Sequence, residues 1–243
     1  MCSDSETPGS RCRAPGPSPE GTPLAFVDLE TTGLDPSSDR VVEICVERVH
    51  RGVMVGQICA VLRSDRWGGT AIHGIQEPQS PQAPTFATIA DRVECLLGDA
   101  ILVAHGAAQD TAFLQREFER LDRPFQCPLV VDTLALARQA FPDERHGLHA
   151  LCDARGEPYD RPHRAAHDVA ALRALWPHLI TALAPISNQE LVQRSRSRRV
   201  VEPAMVEMAC RAAAHQTPVR VQYRSSCRGP EWLDFYVTSV ITN

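Results

Sequence analysis

The run Leu24-Ala25-Phe26-Val27-Asp28-Leu29-Glu30 constrains this chain more than any other segment. Its apolar part reads as a buried central strand. Strand geometry puts side chains i and i+2 on one face, so Asp28 and Glu30 stand side by side. Two adjacent carboxylates at the end of such a strand repel each other unless a cation sits between them. The fold has to bury the strand and still resolve that charge.

The pattern downstream indicates what surrounds the strand. Val41 to His50 and Val53 to Leu62 are β-branched runs parted by Arg51-Gly52, which suits a two-residue hairpin turn. Thr85 is placed to cap an amphipathic helix running to about Leu97. Ala100 to Ala104 reads as a strand, Gln109 to Leu121 as a helix, and Leu129 to Val131 as a short strand. Helices follow over Thr133 to Ala140, Leu148 to Asp153 and Ala165 to Ala184. A meander followed by alternating strands and helices predicts an α/β fold, a mixed sheet with helices on both faces.

The Pro-, Ser- and Gly-rich residues 1–22 read as a disordered leader without the apolar core of a signal sequence. Residues 23–185 form the main domain. Residues 186–203, with Arg194, Arg196, Arg198 and Arg199, read as an Arg-rich linker able to grip phosphates. Residues 204–243 read as a helix plus a β-hairpin. That unit is too small for its own core and is expected to dock or dimerise.

No apolar run approaches the ~18 residues of a membrane span. Nine cysteines without metal-finger spacing point to reduced, mostly buried thiols in a cytoplasmic protein. Every one of the 25 basic residues is arginine. Residues 1–185 hold 17 Arg against 25 acids, a balance of −8, and residues 186–243 hold 8 against 5, a balance of +3. The main domain is therefore no general polyanion binder, and an anionic substrate has to be held locally and through metals.

Three segments then occur in order. Phe26-Val27-Asp28-Leu29-Glu30-Thr31-Thr32-Gly33-Leu34 is the first and Val103-Ala104-His105-Gly106-Ala107-Ala108-Gln109-Asp110 the second. The third is His163-Arg164-Ala165-Ala166-His167-Asp168. Together they resemble the three motifs of the DEDDh 3′→5′ exonuclease superfamily, which includes the proofreading epsilon subunit of bacterial DNA polymerase III and ribonuclease T. His73-Gly74-Ile75, Val131-Asp132-Thr133 and Leu148-His149-Ala150-Leu151 fall where that family has similar segments. The resemblance spans about residues 24–180.

It implies an RNase H-like fold with a mixed five-stranded sheet, to which the chain adds a small C-terminal α+β appendage. It also implies a two-metal hydrolysis that releases 5′-mononucleotides from the 3′ end of single-stranded or frayed DNA. Two divalent ions ~3.5–4 Å apart activate water and stabilise the leaving oxygen, and all-oxygen ligands suit Mg²⁺ or Mn²⁺. By the resemblance, Asp28 bridges both ions, Glu30 and Asp168 complete one sphere, and Asp110 holds the second. His163 is the general base, since Arg164 stands where a tyrosine-type enzyme has its tyrosine. Thr31 would contact the 3′-hydroxyl and Leu34 would act as an apolar wedge.

An exoribonuclease of the ribonuclease T or oligoribonuclease type is the alternative, and a non-catalytic nucleic-acid or polymerase-binding module a more distant one. The implied partners are DNA or RNA 3′ ends, with a polymerase or another protein engaged through the C-terminal unit in proofreading or repair. Two positions depart from the family pattern: Gly106 stands where Asn is common and Gln109 where Phe is common. His105 is expected to be a hydrogen-bonded structural residue and Asp132 a helix cap. His146, His149 and His167 are expected on exposed faces.

Overall fold

The computed structural model describes residues 21–78, 82–125, 129–196, 203–224 and 230–237. Strands β1 (Leu24–Thr31), β2 (Val41–His50) and β3 (Val53–Val61) form the meander, with the β2–β3 turn at Arg51-Gly52. Helices α1 (Thr70–His73) and α2 (Phe86–Leu97) lead to β4 (Ile101–Ala104), α3 (Ala108–Glu119) and β5 (Val130–Asp132). Then come α4 (Thr133–Ala140), α5 (Leu148–Asp153), α6 (Ala165–Leu183) and α7 (Asn188–Arg196). A second unit contains α8 (Pro203–His215), β6 (Pro218–Arg224) and β7 (Pro230–Tyr236).

The first five strands make one sheet in the order β3-β2-β1-β4-β5. β1 pairs antiparallel with β2 and parallel with β4, so it lies at the centre. Its alternation divides the core. Leu24 and Phe26 face a layer built on α4, α5, α6 and α7, while Ala25 and Val27 face α2 and α3. Phe26 meets Trp176 of α6 edge to face, with ring centroids 5.8 Å apart. Each large side chain buried in this way contributes about 1.5–3 kcal/mol. Burial on both faces holds β1 rigid at the point where its acidic end emerges.

Local signals account for several boundaries. Thr85 is extended at the start of α2, and its N–H donates to Thr88 Oγ1 at 3.1 Å. Asp132 caps α4, its Oδ1 accepting the Leu134 N–H at 2.9 Å, as expected of that residue. Gly69 lies at φ 73°, where a Cβ would come 2.5 Å from the Thr31 carbonyl oxygen. Only glycine lets the α1 segment lie this close to the end of β1.

Two expectations need correction. The stretch read as an Arg-rich linker contains α7, a helix packed on β5 and α4 with Leu191 and Val192 buried. Leu191-Val192 is too short an apolar signal to stand out among the surrounding polar residues. Arg194 there pairs with Glu190 and donates to the Leu183 carbonyl at 3.0 Å, so it is engaged within the fold. Arg198 and Arg199 lie outside the described residues. The second correction concerns the cysteines. Cys45 and Cys59, directly opposite in the β2–β3 register, form a disulfide, and Cys95 and Cys210 are exposed. Strand register, invisible in Cys spacing, made that pair.

Candidate active site

β1 carries Asp28 and Glu30 on the α6 side of the sheet, the side that Phe26 also faces. Beyond Glu30 the β1–β2 register slips, and the chain turns through residues 32–39. Asp39 braces that turn, accepting the Thr32 hydroxyl and the Asp35 N–H, each at 3.0 Å. The turn presents Leu34 to solvent at 80% exposure. Thr31, half-buried, donates its hydroxyl to the Gly33 carbonyl at 2.6 Å. His73 holds the neighbouring α1 segment: its Nδ1 accepts the Ile75 N–H at 3.0 Å, and Nε2 lies 3.1 Å from the Gly68 carbonyl.

Asp110 arrives in the first turn of α3, where the backbone N–H groups of Asp110 and Leu29 favour its ionised form. Asp168 arrives in the first turn of α6. His163 precedes that helix at φ 63°, a conformation uncommon outside glycine, and lies beside the Asp168 carboxylate, whose ionised form it favours. Strain of this kind persists where the surroundings enforce it.

These pieces meet. Glu30, His163 and Asp168 bring ligand atoms within 4.8 Å of one another, with His163 exposed and both carboxylates buried. Asp28 is within electrostatic reach of Asp110, Asp168, Glu30 and Glu43. Asp28, His163 and Asp168 line a cleft of about 840 Å³, whose other walls include His105, Arg145, His149 and Tyr159.

The electrostatics follow from burial of like charge. Burial first, and then the four neighbouring acids, hold the Asp28 carboxyl well above the usual carboxylate range. Glu30 is pushed up to about 8 by burial, then by Asp168, Glu43 and Asp110, with Arg164 opposing. Burial pushes Asp110 up to about 7 against its two backbone donors. Asp168 is raised by burial, while the Tyr159 hydroxyl and His163 pull it down. Asp28 Oδ2 is buried with no hydrogen-bond partner among the described residues. A buried orphan oxygen in an all-carboxylate cluster fits a hard divalent cation, which would satisfy the oxygen and cancel the repulsion.

Several residues here carried no recognisable sequence signal. Glu43, directly opposite Glu30 on β2, binds Arg164 Nη2 at 3.0 Å and accepts the Ala165 N–H at 3.0 Å, capping α6. Tyr159 donates its hydroxyl to Asp168 Oδ1. Burial and that contact push its own ionisation far up, so it stays a donor. His105 is held as expected, by Thr133 Oγ1 at 3.0 Å and the His146 carbonyl at 2.8 Å. His146 is half-buried and bonded to the Phe141 carbonyl, which corrects its expected place on an exposed face. His149 is exposed, but toward the cleft.

Gly106 lies at φ 87° and donates its N–H to Asp132 Oδ1 at 2.9 Å. Glycine adopts that backbone without steric cost, so this departure from the family pattern keeps the loop intact. Gln109 is exposed and leaves the packing around the buried Asp110 undisturbed.

The family model for exonucleases of the RNase T type matches residues 25–175, and the chain belongs to that family, within the DEDD 3′→5′ exonuclease superfamily. It is 32% identical over 156 residues to the 3′-5′ exonuclease DinG of Staphylococcus epidermidis, covering 63% of this chain and 17% of that protein. It is 33% identical over 168 residues to the PolC-type DNA polymerase III of Oceanobacillus iheyensis, covering 68% of this chain and 12% of that protein. The chain thus spans less than a fifth of the length of either relative. Among solved structures, exonuclease X with 5′-overhanging duplex DNA superposes with a TM-score of 0.56 at 24% identity, covering 71% of this chain and 99% of that one. A zinc-bound complex of E. coli exonuclease I with single-stranded DNA gives 0.60 at 20% identity, covering 68% of this chain and 42% of that one. These likenesses show the RNase H-like fold.

Proposed function

We propose that this chain is a 3′→5′ exonuclease that releases 5′-mononucleotides from single-stranded or frayed DNA. The observation that carries the reading is the convergence of Asp28, Glu30, Asp110, His163 and Asp168 at one end of β1, in a chain of the exonuclease family. Asp28, Glu30, Asp110 and Asp168 would hold two divalent cations, Mg²⁺ or Mn²⁺. When bound, these supply water activation and neutralise charge on the leaving 3′ oxygen.

The chain's own groups do the rest. His163 takes the proton of the attacking water. Its exposure at the mouth of the cleft lets it reach that water, while it stays within ligand-atom reach of Glu30 and Asp168. Thr31 and Leu34 lie just past the acidic end of β1, where they receive the terminal nucleotide. Leu34 stands out from a braced turn, so an apolar base can pack on it at little entropic cost.

DNA is favoured over RNA by the relatives, one named as a DNA polymerase. A polymerase or another large protein partner, with a role in proofreading or repair, is part of the same proposal. The test uses 5′-labelled DNA and RNA oligomers of matched sequence with the purified chain, in Mg²⁺, in Mn²⁺ and in EDTA. Stepwise shortening of the DNA in metal but not in EDTA is expected, and it should be lost in Asp28→Ala. Shortening that survives EDTA or Asp28→Ala would refute the mechanism, and faster RNA digestion would reassign the substrate.

A further inference from the structure

Tyr159 stands in the loop between α5 and α6, and its hydroxyl donates to Asp168 Oδ1. Its ring packs on the cluster that contains Phe26 and Trp176 and lies 5.5 Å from the His149 ring. It lines the same cleft as Asp28, His163 and Asp168. The Asp168 carboxylate therefore has a donor in the Tyr159 hydroxyl and a favourable neighbour in His163, both from the segment leading into α6.

The need for such a donor is electrostatic. Asp168 faces the carboxylates of Glu30, Glu43 and Asp28. Left to itself, a side chain in a first helical turn can rotate away from neighbours of like charge. A donor fixed by a packed ring opposes that rotation at no cost in long-chain entropy, since the phenol has few rotatable bonds.

We propose that Tyr159 is a positioning residue, whose hydroxyl holds the Asp168 carboxylate turned toward Glu30 and Asp28 so that the acidic cluster is set for cation binding. This rests on the metal-dependent reading above. It also ties the α5–α6 loop, which carries His163, to the state of the cluster.

Tyr159→Phe keeps the ring and removes the donor. The test is calorimetric titration of the purified full chain with Mn²⁺, together with single-turnover nucleotide release across a Mn²⁺ series. Tyr159→Phe is expected to weaken Mn²⁺ binding about tenfold, as loss of a partner behind a metal ligand does. Excess Mn²⁺ should restore most of the release rate, and single-strand binding in EDTA should be unchanged. A structural role alone would lower the melting temperature and leave Mn²⁺ affinity where it was. That result overturns the inference. Tyr159→His, which keeps a donor on a ring, should fall between the two and covers the case in which the Phe variant folds poorly. If wild type and Asp28→Ala bind Mn²⁺ equally, the metal reading itself fails. If wild type binds better than Asp28→Ala and Tyr159→Phe matches wild type, only the role of Tyr159 fails.

Discussion

Glu43 sits directly opposite Glu30 across the β1–β2 ladder, and its carboxylate is turned onto Arg164 and the first N–H of α6. Like charges facing each other in a ladder destabilise it, and here an arginine 121 residues away relieves the strain. The same contact fixes where α6 begins, and with it where Asp168 points. One ion pair thus joins the stability of the sheet to the geometry of the site.

Removing the arginine should expose that dependence. Arg164→Met leaves Glu43 buried beside Glu30 and the α6 N-terminus. Because the guanidinium is partly solvated, the expected loss is modest, about 1–2 kcal/mol. Urea unfolding of the metal-free chain measures it, and a gain in stability would contradict the pairing.

Asp28 is the most costly carboxylate to keep charged, since its Oδ2 is buried with no donor among the described residues. Asp28→Asn should raise the melting temperature of the metal-free chain by a few degrees. It should also abolish any rise on adding Mn²⁺. Scanning fluorimetry with and without Mn²⁺ checks both halves.

Stability of the metal-free chain should fall as pH rises. Glu30 at about 8 and Asp110 at about 7 lie well above the ~4 of unfolded carboxylates. The folded state therefore binds more protons than the unfolded state at neutral pH. Their contribution is complete below about pH 4 and is lost as pH climbs through 7 and 8. Melting temperatures in EDTA should decline between pH 5.5 and 8.5, and Mg²⁺ should offset the decline most at the alkaline end. A flat profile would show that these groups do not titrate as the buried cluster requires.

Leu34 separates binding from stability. At 80% exposure it contributes little to the core, so Leu34→Ala should change unfolding free energy by less than about 0.5 kcal/mol. KM for single-stranded DNA should rise several-fold with kcat less affected, as read from steady-state release. An unchanged KM would remove Leu34 from the substrate site.

Trp176 tests the scaffold. It is fully buried against Phe26, so Trp176→Ala should cost about 3–5 kcal/mol in urea unfolding.

The sequence by itself determined β1, the shared face of Asp28 and Glu30, and the order in which Asp110, His163 and Asp168 follow. These depend on local periodicity and on motif spacing, which neighbouring residues specify. The cap at Thr85 and the cap by Asp132 were legible for the same reason. Only the tertiary structure decided the rest. Glu43 meets Arg164 across 121 residues, and Cys45 meets Cys59 through strand register. Tyr159 reaches Asp168 because a loop folds back over a helix start. Asn188–Arg196 became a helix because Leu191 and Val192 found buried places beside β5 and α4. Contacts between distant segments leave no periodic trace along the chain, since what fixes them is the free energy of packing and charge pairing once the sheet has formed.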